Sequence, residues 1–408
     1  MGGEVDLRRT THQLRMLKGL HKYFDQRGIN NISRVPEKDL PAWHFFHQLQ
    51  TTHLSWIQPR FKDIFDLQRE TMSEDIGFVM CVGNRKFVHA VHAMLGLRRI
   101  HNNYLPIEVY YRDDLDLDTR YQKYIVKNIP NVRMRRLDEI FDDTVLRLQG
   151  WDMKPFAMLA SRFKEVMLLD SDAMFFYDPL LLFDEPGYKA TGTMYYYDRS
   201  LERIPPVGGR AWVESFLPSY STWLPQSRWW KGTSHFELHS PVVLLDKQKT
   251  FWGLIGACKL MDRWERDTST FVHSHGDKES FWLGFEMTLT PYVFNSALPM
   301  TIGGFIPDVY DGTKVCGTVA LPDYTGRPFW WNGGVYHNTY SDQRVLLFDY
   351  YAIGDKHISG KECIEEVDAI FDLEAEAKEA GQAYLKINSE LKIELELLQM
   401  GAYDVDQF

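Results

Sequence analysis

The sequence contains no apolar run approaching the roughly 18–20 residues of a membrane-crossing helix, so no stretch reads as a transmembrane span. Cysteine is scarce: Cys81, Cys258, Cys316 and Cys363 are the only four in 408 residues. None forms a Cys-x-x-Cys pair or lies near a histidine at zinc spacing, which argues against a structural zinc site, and four cysteines in a chain this long do not make a disulfide scaffold. A single bridge stays open. Basic residues are not in excess: 46 Lys+Arg face 56 Asp+Glu, a formal net charge of −10. A general nucleic-acid binder would need a basic face, so a nucleic-acid polymer is not an expected partner. There is no internal repeat and no low-complexity segment. The opening residues, MGGEVDLRRT, lack the apolar core of a signal peptide.

What is present is ordinary for a folded chain: 44% hydrophobic and 25% charged residues exclude wholesale disorder. The acidity is lopsided. Residues 361–408 hold 13 acids and 4 bases, and residues 1–360 hold 43 and 42, so the body is nearly neutral and the tail carries the charge. Aromatics reach 14% and cluster as Tyr195-Tyr196-Tyr197, Trp229-Trp230 and Trp330-Trp331. Burial in the core is the first reading for these, and a stacking platform for sugar rings or bases is the second.

Leu14, Leu17, Leu20 and Phe24 share one helical face, and residues 1–75 read as an N-terminal helical extension. From Ile76 the pattern becomes short apolar runs alternating with helical segments. Strands are expected near Ile76–Gly83, Ile107–Tyr111, Val132–Leu137 and Glu165–Leu169. Helices are expected at Phe87–Ile100, Asp118–Asn128 and Lys154–Phe163. This alternation implies an α/β fold with a mostly parallel sheet, which binds ligands beyond the carboxyl ends of its strands. Further strands are read at Thr191–Tyr196 and Val242–Leu245, and helices at Thr250–Met261 and Asp277–Phe285. Residues 291–340, rich in Gly, Pro and aromatics, read as a loop-dominated cover. Residues 361–398 read as a helix broken at Gly381, with Ile364, Val367, Ile370 and Phe371 as one stripe. The expected organisation is an extension over 1–75, a catalytic domain over 76–350 and an acidic helical segment over 351–408.

The feature that carries chemistry is Val166-Met167-Leu168-Leu169-Asp170-Ser171-Asp172. Four apolar residues run into two carboxylates one residue apart, which project to the same side of an extended segment. Such oxygen ligands suit Mg²⁺ or Mn²⁺ bridging a diphosphate; the alternative is structural capping. The run Asp113–Asp118 lacks the central glycine and terminal glutamate of a calcium loop and reads as a turn and helix cap. Asn84-Arg85-Lys86, after a strand-ending glycine, is either an exposed helix start or a contact for a nucleotide phosphate.

Several pieces in a fixed order resemble glycosyltransferase family 71, the fungal α-mannosyltransferases of the Golgi. They are GFVMCVGN (Gly77–Asn84), LPIEVYY (Leu105–Tyr111), GWDMKPFAMLAS (Gly150–Ser161) and the long stretch Val166–Arg199. SPVVLLDK (Ser240–Lys247), GDKESFWLGFEM (Gly276–Met287) and WWNGG (Trp330–Gly334) come after them, so the resemblance covers roughly residues 75–350. It implies a GT-A fold, a sugar-nucleotide donor with GDP-mannose favoured, and transfer with retention. Position by position, Asp170 and Asp172 would bind the metal, with Ser171 between them at the donor. Val82, Gly83, Asn84 and Arg85 would lie at the nucleotide, and Lys154 would face the donor phosphates or sugar. Asp277 and Glu279 would sit near the donor sugar and acceptor. His337 is the candidate third metal ligand, with His273 and His275 a weaker pair for that role.

Blander readings exist for each: a solvated Lys154 beside Asp152, helix-start acids for Asp277 and Glu279, a loop histidine for His337. The chain departs from the family pattern at Ser240-Pro241, where glycine is usual. Proline fixes φ and removes an N–H donor, which bears on donor or acceptor identity more than on fold. The expectation is therefore a metal-dependent (Mn²⁺ or Mg²⁺) retaining mannosyltransferase acting on a glycan, lipid or small-molecule hydroxyl. A UDP-sugar enzyme of the same fold and an inactive glycan-binding or scaffold subunit are its rivals. The expected location is the Golgi lumen if an anchor is missing from this chain, the sole route to a membrane, and otherwise the cytoplasm.

Overall fold

Leu14, Leu17 and Phe24 recur at helical spacing and form the fully buried face of α1 (Leu7–Asp25). Asp6 caps this helix by accepting a hydrogen bond from Arg9 N at 2.9 Å. The structure, a computed structural model, describes residues 6–201, 209–307, 313–338, 342–354, 356–358, 363–364 and 367–400. Helices α2 (Leu40–His53) and α3 (Ile64–Thr71) complete the N-terminal layer. The polar side of α1 ties this layer to the body. Arg15 donates to the carbonyls of Met287 (2.8 Å) and Glu286 (3.1 Å), and Lys18 to that of Thr288 (2.8 Å). These carbonyls belong to the last turn of the helix Lys278–Thr288, where cations also favour the helix dipole.

The apolar runs read from sequence form the central sheet. β1 (Glu74–Cys81) is followed by α4 (Phe87–Arg99), β2 (Ile107–Tyr111), α5 (Thr119–Asn128), β3 (Val132–Arg136) and, after the helix Met153–Ala160, β4 (Phe163–Leu169). β1 through β4 are parallel and lie in the order 3-2-1-4. The strand Leu238–Asp246 then pairs antiparallel to β4, and β6 (Thr193–Tyr197) pairs antiparallel to that strand. The expected α/β class with a mostly parallel, helix-flanked sheet is what the chain adopts. The chain leaves β1 toward β2 and later returns on its other side as β4. The switch point of the sheet therefore lies between β1 and β4, where open α/β sheets form their ligand crevice.

Pro241 is accommodated without loss to the sheet. Its carbonyl accepts from Asp170 N at 2.7 Å, while the pairing of its strand with β6 is irregular between Met194 and Tyr196. A proline at such an irregularity deprives no ladder bond of its donor.

Two regions differ from the sequence reading. Residues 291–340 are not loop-dominated: the strands Met300–Phe305, Val315–Pro322 and Pro328–Asn332 build a second sheet, which also takes in β5 (Ala173–Phe175), the segment directly after Asp172. Trp330 and Trp331 are fully buried there, as are Tyr195 and Tyr196 in the first sheet, so the core reading holds for those residues. Second, the expected helix over 361–398 begins only at Ala375. Cys363–Ile364 and Val367–Asp372 are strands of the second sheet, the latter paired with Tyr350–Gly354. The helix Ala375–Gln399 runs unbroken through Gly381, where a Cβ would run into the Phe348 ring; the glycine serves close packing rather than a break. Its apolar stripe (Tyr384, Ile387, Leu391, Leu395, Leu398) is buried on the body, and Tyr384 fills the space left by Gly96 of α4. Residues 359–362, 365–366 and 401–408 lie outside the described residues.

Cys316 and Cys363 form a disulfide that joins two strands of the second sheet; Cys81 and Cys258 are free. No helix among the described residues is long and apolar enough to cross a membrane.

Candidate active site

The carboxyl ends of β1 and β4 open onto a cleft of about 860 Å³. On the β1 side it is lined by Gly83, Asn84, Arg85, Lys86, Arg112 and Asp116. Gly83 lies close against Asp116 there: a Cβ would stand 2.9 Å from Asp116 Oδ1, so the Asp116 side chain would have to shift. Asn84 staples two loops together: its amide donates to the Leu115 carbonyl (3.0 Å) and its Oδ1 accepts from Asp118 N (2.7 Å). Asp118 caps α5 through Arg120 N, and Asp113 accepts from Leu115 N and Asp116 N, so this acidic run is the expected turn and cap. Arg85 is exposed at the mouth.

At the end of β4, Asp170, Ser171 and Asp172 all line the cleft. Asp170 Oδ1 is 2.8 Å from Lys154 Nζ, which also lies 3.4 Å from Asp277 Oδ1. Asp172 Oδ2 is 2.8 Å from Lys86 Nζ. Each acid of the pair thus has its own lysine. Burial opposes the charge of Lys154, but Asp170 and Asp277 outweigh it and hold the ammonium above its usual range. Burial raises the carboxyl of Asp170 against the pull of Lys154. Asp172, despite its burial, is held below the usual range by Lys86. The backbone of this turn is fixed by the second sheet. Gly333 N and Gly334 N donate to the Asp172 carbonyl at 3.1 and 3.0 Å, and Asn332 pairs across from Ala173. Asn332 lines the cleft, and its Oδ1 is buried without a hydrogen-bond partner.

The opposite flank of β4 carries Asp198, Phe236, His239, Asp277 and Lys278, with Trp151 and His275 at the rim. Asp198 Oδ2 is 2.5 Å from Lys278 Nζ. Burial opposes ionisation of Asp198, yet Lys278 and His239 hold its carboxyl well below the usual range. Asp277 is buried, and its Oδ2 has no hydrogen-bond partner.

Residues 75–207 and 221–321 match the family model described as "Mannosyltransferase putative", which is more than half of the chain. The chain belongs to this mannosyltransferase family. Among curated members, the α-1,3-mannosyltransferase MNT3 of Saccharomyces cerevisiae is 28% identical over 231 residues, covering 49% of this chain and 36% of the relative. The α-1,3-mannosyltransferase MNN1 of the same organism is 22% identical over 276 residues, covering 56% and 35%. The chain thus spans about a third of the length of these relatives. Among solved structures, the Mn/GDP form of core-mannan synthase A (CmsA/Ktr4) of Aspergillus fumigatus superposes with a TM-score of 0.38 at 13% identity, over 52% of this chain and 69% of that one.

In this family member the structure brings Gly83, Asn84, Arg85, Lys154, Asp170, Ser171, Asp172 and Asp277 to one cleft. Lys154 is not a solvated partner of Asp152: it is buried, and Asp152 pairs with Arg266 at 2.6 Å. Three of the main expected site residues, and His273 of the weaker pair, lie elsewhere among the described residues. Val82 is in the core, its amide bonded to the Tyr110 carbonyl. His337 is buried in the strand Tyr336–Asn338 and does not line the cleft; Asn332, from the same Trp-Trp-Asn-Gly-Gly motif, does. Of the weaker histidine pair, His275 is at the rim, while His273 stacks on Trp212.

Glu279 is the third. It is fully buried and accepts hydrogen bonds from Glu237 N (2.9 Å) and Trp282 Nε1, so it braces the cleft wall without lining it. Burial raises its carboxyl to about 8. The folded protein then keeps a proton that the unfolded chain releases, so stability falls as pH rises from about 4.5 to about 8. Glu279→Gln removes this dependence. Melting temperatures of wild type and variant across that window should diverge, with the wild type losing ground toward high pH; parallel curves would contradict the assignment.

Asp198, His239 and Trp151 are cleft residues that the sequence reading did not single out. Asp198 ends the apolar strand β6 as Asp170 ends β4, and that repeated signal could have found it. His239 carries no such signal, because its role depends on cross-strand pairing.

Proposed function

We propose that the chain transfers mannose from GDP-mannose to a hydroxyl of a glycan acceptor, with retention and with a divalent metal. The observation that carries this reading is the Asp170/Asp172 pair at the switch point between β1 and β4, in one cleft with Lys154, in a mannosyltransferase-family chain. The relatives are named α-1,3-mannosyltransferases, so an α-1,3-linked product is proposed. The disulfide fits an oxidising lumen such as the Golgi, since such bridges are rare in the cytosol.

The oxygen-rich donor set suits Mn²⁺ or Mg²⁺: the two carboxylates and the unpartnered Asn332 Oδ1. Asp170 and Asp172 would hold the ion, and when bound it would supply charge neutralisation to the departing diphosphate. The protein's own groups do the rest. Lys154, fixed between two acids, keeps a positive charge beside the diphosphate in a site where preorganised charge acts strongly. Lys86 and Arg85 supply further cations on the nucleotide side. Asp277 Oδ2, buried and lacking a donor, accepts a sugar hydroxyl and orients it.

A ligand that binds only the native state raises its melting temperature. In a thermal-shift screen with Mn²⁺, GDP and GDP-mannose should stabilise the protein and UDP-sugars should not. Stabilisation by UDP-glucose or UDP-galactose alone would replace the donor.

A further inference from the structure

The flank of the cleft beyond β4 holds a titratable pair that the diphosphate reading leaves unused. In the register of the first sheet Tyr196 pairs with His239, which brings Asp198, two residues on, against the histidine ring. His239 Nδ1 lies 3.3 Å from Asp198 Oδ1, and that oxygen also accepts from Arg199 N at 2.8 Å. The His239 side chain is 7% exposed and its ring lies nearly parallel to that of Trp330, 13° apart with centroids at 5.8 Å. Burial keeps the imidazole below its usual pKa, against the pull of Asp198, which favours the neutral ring. A neutral imidazole beside a carboxylate carries its proton on the nearer nitrogen, Nδ1, and leaves the Nε2 lone pair as an acceptor. Both ring nitrogens are buried; Nδ1 meets Asp198 at ion-pair distance, 3.3 Å, rather than in a formed hydrogen bond, and no donor among the described residues reaches Nε2.

The sheet fixes where this acceptor stands. Asp170 N bonds to the Pro241 carbonyl, and His239 precedes Pro241 by two residues on the same strand. His239 is therefore about 6.5 Å along its strand from the level of Asp170. It lies on the flank of β4 opposite β1. A sugar nucleotide with its base beside β1 and its diphosphate at the end of β4 places its sugar toward the strand Leu238–Asp246. Nearby, the Trp151 ring is half exposed and leans on His275 at 5.0 Å, an apolar face suited to the C–H side of a pyranose.

We propose that His239, oriented by Asp198, accepts a hydrogen bond from a pyranose hydroxyl bound at this end of the cleft and is a specificity-determining residue of the transfer. The inference rests on the transferase reading above. The hydroxyl belongs either to the mannosyl group of the donor or to the acceptor, and kinetics separates the two.

His239→Asn retains a group at the Nδ1 position, facing Asp198, and presents nothing at Nε2. His239→Gln places an amide oxygen near Nε2. With melting temperature and GDP affinity unchanged, His239→Asn should raise the KM of one sugar substrate roughly tenfold or more, and His239→Gln should restore most of it. A rise in the GDP-mannose KM for acceptor-free hydrolysis assigns the hydroxyl to the donor; a rise in the mannoside KM alone assigns it to the acceptor. A folded His239→Asn with both values within about twofold of wild type overturns the proposal.

A second measurement uses the wild type and needs no turnover. The ¹⁵N imidazole spectrum is followed while methyl α-mannopyranoside is added in the presence of GDP. The Nε2 resonance of His239 should shift as it gains a donor. The titration is repeated with GDP-mannose and Mg²⁺; an Nε2 resonance that stays unmoved by both ligands while each shifts other signals overturns the proposal. Absence of any GDP-mannose turnover by wild type would instead count against the transferase reading, and the spectrum still decides the role of His239.

Discussion

Asp172→Ala should lower mannosyl transfer roughly 10²–10³-fold or more, the scale set by losing a charge-stabilising element of a site. The fold should persist. The contacts that hold this turn to the second sheet go to the Asp172 backbone carbonyl, which alanine keeps. The side chain's own partner, Lys86, is a third exposed and can turn to water. Activity and melting temperature should therefore separate: transfer collapses and the thermal transition stays within a few degrees. A variant that retains wild-type transfer removes Asp172 from the mechanism. One that unfolds shows the acid to be structural.

Lys154→Met should fail in both respects. The lysine side chain is 7% exposed and lies between Asp170 and Asp277, themselves 25% and 3% exposed. Removing it leaves two carboxylates facing each other without a cation, which costs about 3–5 kcal/mol when a buried pair is broken from one side. Urea denaturation should show a lower midpoint at unchanged slope. Adding Asp277→Asn in the same chain should recover part of the stability, because one uncompensated charge is removed. It should not recover transfer, because the cation beside the diphosphate is still missing. Equal stability of Lys154→Met and wild type would show that the site tolerates its acids unpaired.

Much of this site was legible because buried parallel strands are written as apolar runs, and their carboxyl ends as a break in polarity. Val166–Leu169 running into Asp170-Ser171-Asp172 marked both β4 and the ligand edge of the sheet. The helix reading failed at Val367–Asp372 because Val367, Ile370 and Phe371 are spaced three and four apart, a helical interval, while their partners in Tyr350–Gly354 are distant in sequence. The second sheet was illegible for a related reason. Its Gly-, Pro- and aromatic-rich strands look like loops until the antiparallel pairings with one another and with β5 are known. Glu279 and His337 were drawn in by proximity to motifs, yet the direction of a side chain is set by packing. Glu279 turns inward to Trp282, whereas Asp277, two residues earlier, meets Lys154. Asp198 and His239 meet only through the pairing of Tyr196 with His239 across 43 residues, a register no local pattern announces.

The separation of charge read from the sequence has a structural counterpart. The helix Ala375–Gln399 buries its apolar stripe on the body and leaves Glu376, Glu379, Glu390 and Glu396 exposed. None of these acids lines the cleft.

The most direct test of the central claim is transfer from ¹³C-labelled GDP-mannose to an α-mannoside, monitored by NMR of the anomeric carbon, with Mn²⁺ and with EDTA. The account predicts a new α-linked anomeric signal with Mn²⁺, none with EDTA, and none from Asp172→Ala under either condition. Undiminished transfer in EDTA, or a β-linked product, would contradict it.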